Sequence, residues 1–207
     1  MYKDIEAKCF KPSEIKGLSE KQVEEHLKLY KGYVAKVNDI SKASKDAQAY
    51  AGSNPTFSAM RSLKQGESFA LNGVVLHELY FENISCASDC NSNLNSKLAK
   101  MIKEQYCDEK CFMDYLKQVA LSVRGWAVVA IDKVTKRLRV VGIDAHDVGA
   151  LWCAAPILVV DVYEHAYFMD FGTDRGKYLD TVFASINWTV AENRLEKYCN
   201  MCDDLCK

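Results

Sequence analysis

Residues 161–171, DVYEHAYFMDF, follow directly on the apolar run PILVV (156–160) and set an aspartate and a histidine four positions apart. A short run of that character reads as a buried strand, apolar enough for the centre of a sheet. Asp161 then stands at the strand's end. A buried carboxylate without a partner costs several kcal/mol or takes up a proton. Coordination to a metal removes that cost, and imidazole together with carboxylate is a donor set of intermediate hardness suited to iron, manganese or zinc.

Around this strand the chain divides by pattern. GWAVVAID (125–132) and RLRVVGID (137–144) are two further strands rich in β-branched residues, joined by the turn KVTK. SKLAKMIKEQYCD (96–108), EKCFMDYLKQVALSV (109–123) and the stretch from Arg175 to Cys199 are helical in character. Nearer the start, residues 19–51 place Val23, Leu27, Tyr30, Val34 and Val37 on one stripe behind a capping Ser19, predicting one long amphipathic helix. Residues 52–68 carry Gly, Pro and Ser and read as a loop, and FALNGVVLHELYFENI (69–84) is a second apolar helix. The polar stretch SCASDCNSNLNS (85–96) marks a boundary. The expected class is α+β: an N-terminal antiparallel helical hairpin over 1–84, then a C-terminal α/β unit over 85–207 with a three-stranded antiparallel sheet. No internal repeat and no low-complexity segment is visible.

Composition narrows the partners. With 27 basic and 28 acidic residues in 207 the net charge is -1, so no long-range field points to nucleic acid or to a membrane surface. The first residues lack an apolar signal core, and no stretch approaches the roughly 18 uninterrupted apolar residues of a membrane span. A cytoplasmic protein is expected. Nine cysteines, an odd number, argue against a closed disulfide framework and for reduced thiols. Cys86/Cys90 and Cys107/Cys111 have helical spacing. The tail residues Cys199, Cys202 and Cys206 match no metal-ligand spacing and read as thiols on a terminal helix, a reactive pair remaining open.

Only four histidines occur: His26, His77, His146 and His165. A single histidine amid apolar neighbours is more often a hydrogen-bonded core residue than a ligand. Three in such settings, with an acid nearby, shift that balance, although spacing alone does not bring His26 and His77 to Asp161.

DVYEHAYFMDFGTDRGKYL (161–179) resembles the motif of the iron/manganese superoxide dismutase family, in which an Asp, two residues and then Glu-His-Ala-Tyr supply two metal ligands. NGVVLHELYFENI (72–84) resembles the family's second-histidine segment, EEHLKLYKGYVAKVNDI (24–40) its first-ligand helix, and INWTVAENRL (186–195) its closing helix. The likeness runs along nearly the whole chain in order. It implies the ligands His26, His77, Asp161 and His165, with solvent as a fifth group. It implies His146 as the outer residue hydrogen-bonded to that solvent, with Gly73 small where the other subtype carries a glutamine. Tyr33 falls at the gateway of the substrate channel, and Arg175 at a basic position that guides the anion or forms a structural ion pair. Glu164 falls where the family reaches across a homodimer to the partner's ligand histidine, here His165; a tetramer is the other assembly in view. Phe81, Trp126, Tyr163 and Trp188 are expected around the site, with core packing a sufficient role for the two tryptophans.

The chain departs from that pattern at Tyr30, where a histidine is usual, and at Phe168, where tyrosine is usual. Phe81 and Tyr163 stand where tryptophan is common. The interval from His26 to Tyr33 is one residue shorter than usual, which leaves Tyr30 as an alternative gateway. The activity implied is disproportionation of superoxide into oxygen and hydrogen peroxide at one iron or manganese ion per subunit, iron being preferred. The alternative is a metal-binding relative without turnover. A carboxylate-bridged di-iron bundle needs Glu-x-x-His pairs, but Val23, Val74, Ile143 and Val162 precede the four histidines by three. A zinc hydrolase at His77-Glu78 lacks the second histidine of its motif.

Overall fold

The computed structural model describes residues 3–84 and 96–205, with side chains as far as residue 199. Helix α1 (Glu20–Ala43) starts where the serine cap predicts: the Ser19 hydroxyl accepts from the Gln22 N–H. Its stripe of Val23, Leu27, Tyr30, Val34 and Val37 is buried against α2 (Ala59–Ile84). Both helices differ in length from expectation. Beyond Ala43 the Asp46 carboxylate accepts from the Gln48 N–H and opens a separate 3-10 turn, Ala47–Tyr50, so α1 stops eight residues short of position 51. Conversely α2 begins ten residues before position 69, because Ser58 caps it by accepting from the Arg61 N–H.

The C-terminal part comprises α3 (Lys97–Tyr106), α4 (Glu109–Ser122), strands β1 (Trp126–Asp132), β2 (Arg137–Ile143) and β3 (Ala154–Asp161), then α5 (Phe168–Phe171), α6 (Arg175–Ala184) and α7 (Trp188–Leu205). The three strands form an antiparallel sheet in the order β2-β1-β3. The architecture is thus α+β, with helices first and a three-stranded antiparallel sheet after them. The expected division at 85–96 falls almost wholly on residues outside those described.

One detail reverses the expectation. The central strand is β1, and β3 lies at the edge. It is apolar because helices cover it: its residues from Ile157 to Asp161 are all buried. Edge backbone groups must still be hydrogen-bonded once buried. The Asn83 Oδ1 accepts from the Val159 N–H at 2.9 Å, and Arg194 of α7 donates to the Ile157 carbonyl at 3.1 Å. Arg194 also reaches the Leu79 carbonyl and Glu82 of α2, so one guanidinium ties helix, strand and helix together.

Cys9, Cys107, Cys111 and Cys153 are exposed free thiols, and Cys199 is a half-buried one. Cys86, Cys90, Cys206 and the side chain of Cys202 lie outside the described residues. No helix among the described residues is long and apolar enough to cross a membrane.

Candidate metal centre

Four elements deliver one donor each. His26 lies on the buried face of α1, and His77 on that of α2. Asp161 ends β3, and His165 sits in the 3-10 turn Glu164–Ala166 just after it. The register opposes Asp161 to Trp126 at the open end of the sheet, which turns the carboxylate toward the helical hairpin. One ligand atom from each of the four residues lies within 4.8 Å of every other.

The centre of the cluster is a single oxygen. Asp161 Oδ2 is 3.1 Å from His26 Nε2, 3.3 Å from His165 Nε2 and 3.8 Å from His77 Nε2. The other carboxylate oxygen accepts from the Tyr163 N–H, and the Tyr178 hydroxyl donates to the Asp161 carbonyl. His77 Nδ1 donates to the Gly73 carbonyl at 2.6 Å, which leaves the Nε2 lone pair facing a carboxylate. Buried, that nitrogen has no hydrogen-bond partner among the described residues. Two acceptors pointed at one another repel unless a cation lies between them. Atoms each about 2 Å from one cation stand roughly 3 to 4 Å apart, so the donor set and its spacing fit a single first-row metal ion.

Electrostatics agree with that reading. Burial alone would raise the Asp161 pKa, but the neighbouring His165 and His26 hold it well below the usual carboxylate range, and the group is anionic. Burial pushes His77 down to about 3, with His26 adding to the effect, and lowers His26 as well. Both are neutral imidazoles with lone pairs to offer. Burial works against the charged form of His165, the one of the four with an exposed edge, but the charge and hydrogen bond of Asp161 raise its pKa.

Beside the cluster runs a second set. The Trp126 indole N–H donates to His146 Nδ1 at 2.9 Å, and His146 Nε2 lies 2.9 Å from the Tyr33 hydroxyl. An indole only donates, so Nδ1 holds the lone pair and Nε2 carries the proton that is given to the Tyr33 oxygen. Tyr30 points elsewhere, its hydroxyl accepting from the Lys8 N–H and donating to Glu78. Of the two tyrosines considered for the gateway, Tyr33 is the one beside His146. Gly73 makes its approach possible: a Cβ there would stand 3.1 to 3.3 Å from the Tyr33 ring.

Phe81, Trp126 and Tyr163 pack their rings against the histidines, whereas Trp188 lines a separate cavity with Leu98 and Ile102. Arg175 donates to the Val123 carbonyl and the Tyr167 hydroxyl, and no carboxylate among the described residues pairs with it. Glu164 is exposed, and its carboxylate has no partner among the described residues. A cleft of about 350 Å³ opens beside it over the edge of His165, between Leu29, Phe168 and Met169. Two contributions escaped the sequence reading. Trp126 acts through its N–H as well as its bulk, and Gln22, one helical turn before His26, is fully buried on the ligand-bearing face. A polar residue inside an apolar helical stripe was the available signal for the latter.

Fold and donor set together define a mononuclear metalloprotein. Residues 94–194 match the family described as iron/manganese superoxide dismutases, C-terminal domain. Iron superoxide dismutases of Aquifex aeolicus and Aquifex pyrophilus are each 40% identical over 191 residues, covering 90% of this chain and 88% of their own length. A manganese superoxide dismutase of Haloarcula marismortui is 35% identical over 125 residues, covering 60% of this chain and 61% of its own length. The chain belongs to the iron/manganese superoxide dismutase family.

Proposed function

We propose that the protein disproportionates superoxide at one iron ion held by His26, His77, Asp161 and His165. The observation that carries this is the His77 Nε2 lone pair, buried and unpartnered, turned with two other imidazoles toward one carboxylate oxygen. Iron rather than manganese is supported by the two Aquifex relatives, both named as iron enzymes. What the metal supplies is a one-electron relay, by which one superoxide is oxidised to dioxygen and a second is reduced to peroxide.

The chain's own residues manage the protons that peroxide needs. Trp126 fixes His146 in the Nε2–H tautomer, and His146 donates to the Tyr33 oxygen. Tyr33 therefore keeps its own O–H free to donate. Burial and the charge of Asp161 raise its pKa, so the phenol retains its proton at neutral pH. Burial lowers the pKa of His146, which stays neutral and keeps the direction of the chain. Arg175, which pairs with no carboxylate among the described residues, adds attraction for the anionic substrate.

Two subunits pair through Glu164 and His165. The Glu164 carboxylate has no partner among the described residues, and His165 meets Asp161 through Nε2. In an isologous dimer each carboxylate meets the partner's His165, and the exposed Leu29, Phe168 and Met169 become covered.

The test is to load the protein separately with iron and with manganese, measure metal per chain and assay superoxide removal. About one ion per chain with activity in the iron form is expected. Full loading without activity in either form overturns the proposal.

A further inference from the structure

Of the four ligands, His165 has the least support from its own element. It follows a strand end by four residues and lies in a three-residue 3-10 turn, succeeded by the single-turn helix α5. Turns that short do not hold a fixed geometry by themselves. With its side chain 26% exposed, His165 is also the only one of the four not enclosed by core. Its position must come from outside the segment.

The support comes from the first turn of α1. The Gln22 side-chain amide grips the segment at two backbone points: Nε2 donates to the His165 carbonyl at 2.5 Å, and Oε1 accepts from the Met169 N–H at 3.1 Å. Three residues earlier Ser19 gives both its N–H and its hydroxyl to the Asp170 carboxylate, at 2.7 and 2.6 Å. Gln22 is fully buried, and one helical turn beyond it on the same face is His26.

We infer that Gln22 is a positioning residue that locks the His165 ligand to the His26 ligand. The amide spans from the helix bearing one imidazole to the turn bearing the other, so the two rings, 4.8 Å apart, move as one body. Both ends of the amide are needed. Only a group that donates and accepts within one planar unit can hold a carbonyl and an N–H four residues apart. Methionine matches its volume but offers neither bond, and glutamate keeps the acceptor while facing the His165 carbonyl with a second oxygen. The inference rests on these four residues being the metal ligands, as proposed above.

The experiment uses the iron-loaded protein and its variants Gln22→Met and Gln22→Glu. Three quantities are read: the electron paramagnetic resonance spectrum of the ferric form, the rate of iron loss to a strong chelator, and the melting temperature of the metal-free chain. In both variants the ferric spectrum is expected to change and iron loss to accelerate roughly tenfold, the scale on which residues supporting ligands act. A lowered melting temperature with unchanged spectrum and release rate in both variants overturns the inference and makes Gln22 a packing residue only. If Gln22→Met does not fold, Gln22→Glu decides alone by the same two readings. A wild-type chain that fails to take up iron would instead refute the ligand assignment, which separates the two failures.

Discussion

At His146 the direction of a hydrogen bond sets the chemistry. The indole of Trp126 cannot accept, so the imidazole it meets has no freedom of tautomer. Trp126→Phe keeps the ring and removes the donor, leaving a buried acceptor unpaired at a cost of about 1–3 kcal/mol. The proton is then free to move from Nε2 to Nδ1, and Tyr33 loses its donor. Metal content should stay near one ion per chain while superoxide removal falls, and nitrogen chemical shifts of His146 in the metal-free protein should report mixed tautomers. A single tautomer with full activity contradicts this. The four residues that cluster were named through the family resemblance, which the local run Asp161-x-x-Glu164-His165-Ala166-Tyr167 carries most sharply; spacing alone did not join His26 and His77 to Asp161. Gln22 was not legible in its role. Its partners are backbone atoms more than 140 positions away, and a backbone atom leaves no trace in residue type.

Among the elements, two contacts carry distinct consequences. Gly73 lets α1 and α2 close until the Tyr33 ring lies against the α2 backbone. Alanine is the better helix former by about 1 kcal/mol, but its methyl would press on that ring at 3.1 to 3.3 Å. Gly73→Ala should therefore bring no gain in denaturation stability and should lower activity by moving the phenol from His146. A more stable and fully active variant would show that the ring yields freely. At the other end of α2, burial raises the pKa of Glu82, but hydrogen bonds from Lys8 and Arg194 overcome it and leave the group below its ordinary 4.5. The unfolded chain thus binds more protons in this range. The stability Glu82 contributes is complete above pH 4.5 and disappears as pH falls through its depressed pKa. Denaturation of the metal-free protein should show wild type exceeding Glu82→Gln above that pH, with the gap closing in acid. A gap constant with pH sinks the idea. Helix boundaries escaped the sequence because Asp46 and Ser58 act by capping, and the place of β3 escaped it because a strand covered by Asn83 and Arg194 is as apolar as a central one.

For the whole molecule, order along the chain was readable and assembly in space less so. Helices before strands followed from residue pattern, and the antiparallel pairing of β1 with β2 from the short turn KVTK between them; which strand lies in the middle depends on packing between segments far apart. The dimer proposed above turns on Glu164. Glu164→Ala should convert dimer to monomer in sedimentation at micromolar concentration, with metal lost faster from the monomer, whereas an unchanged sedimentation coefficient would move the interface elsewhere. The pairing of Asp161 with Trp126 reaches further than the site it builds. Displacing β3 by one residue against β1 turns the aspartate to the opposite face of the sheet, away from all three imidazoles. A chain folded in that faulty alignment has no cage to fill. On the ligand set proposed above, metal uptake would sort each batch of newly made molecules, and the fraction that comes out loaded would be a census of those whose strands found their proper neighbours.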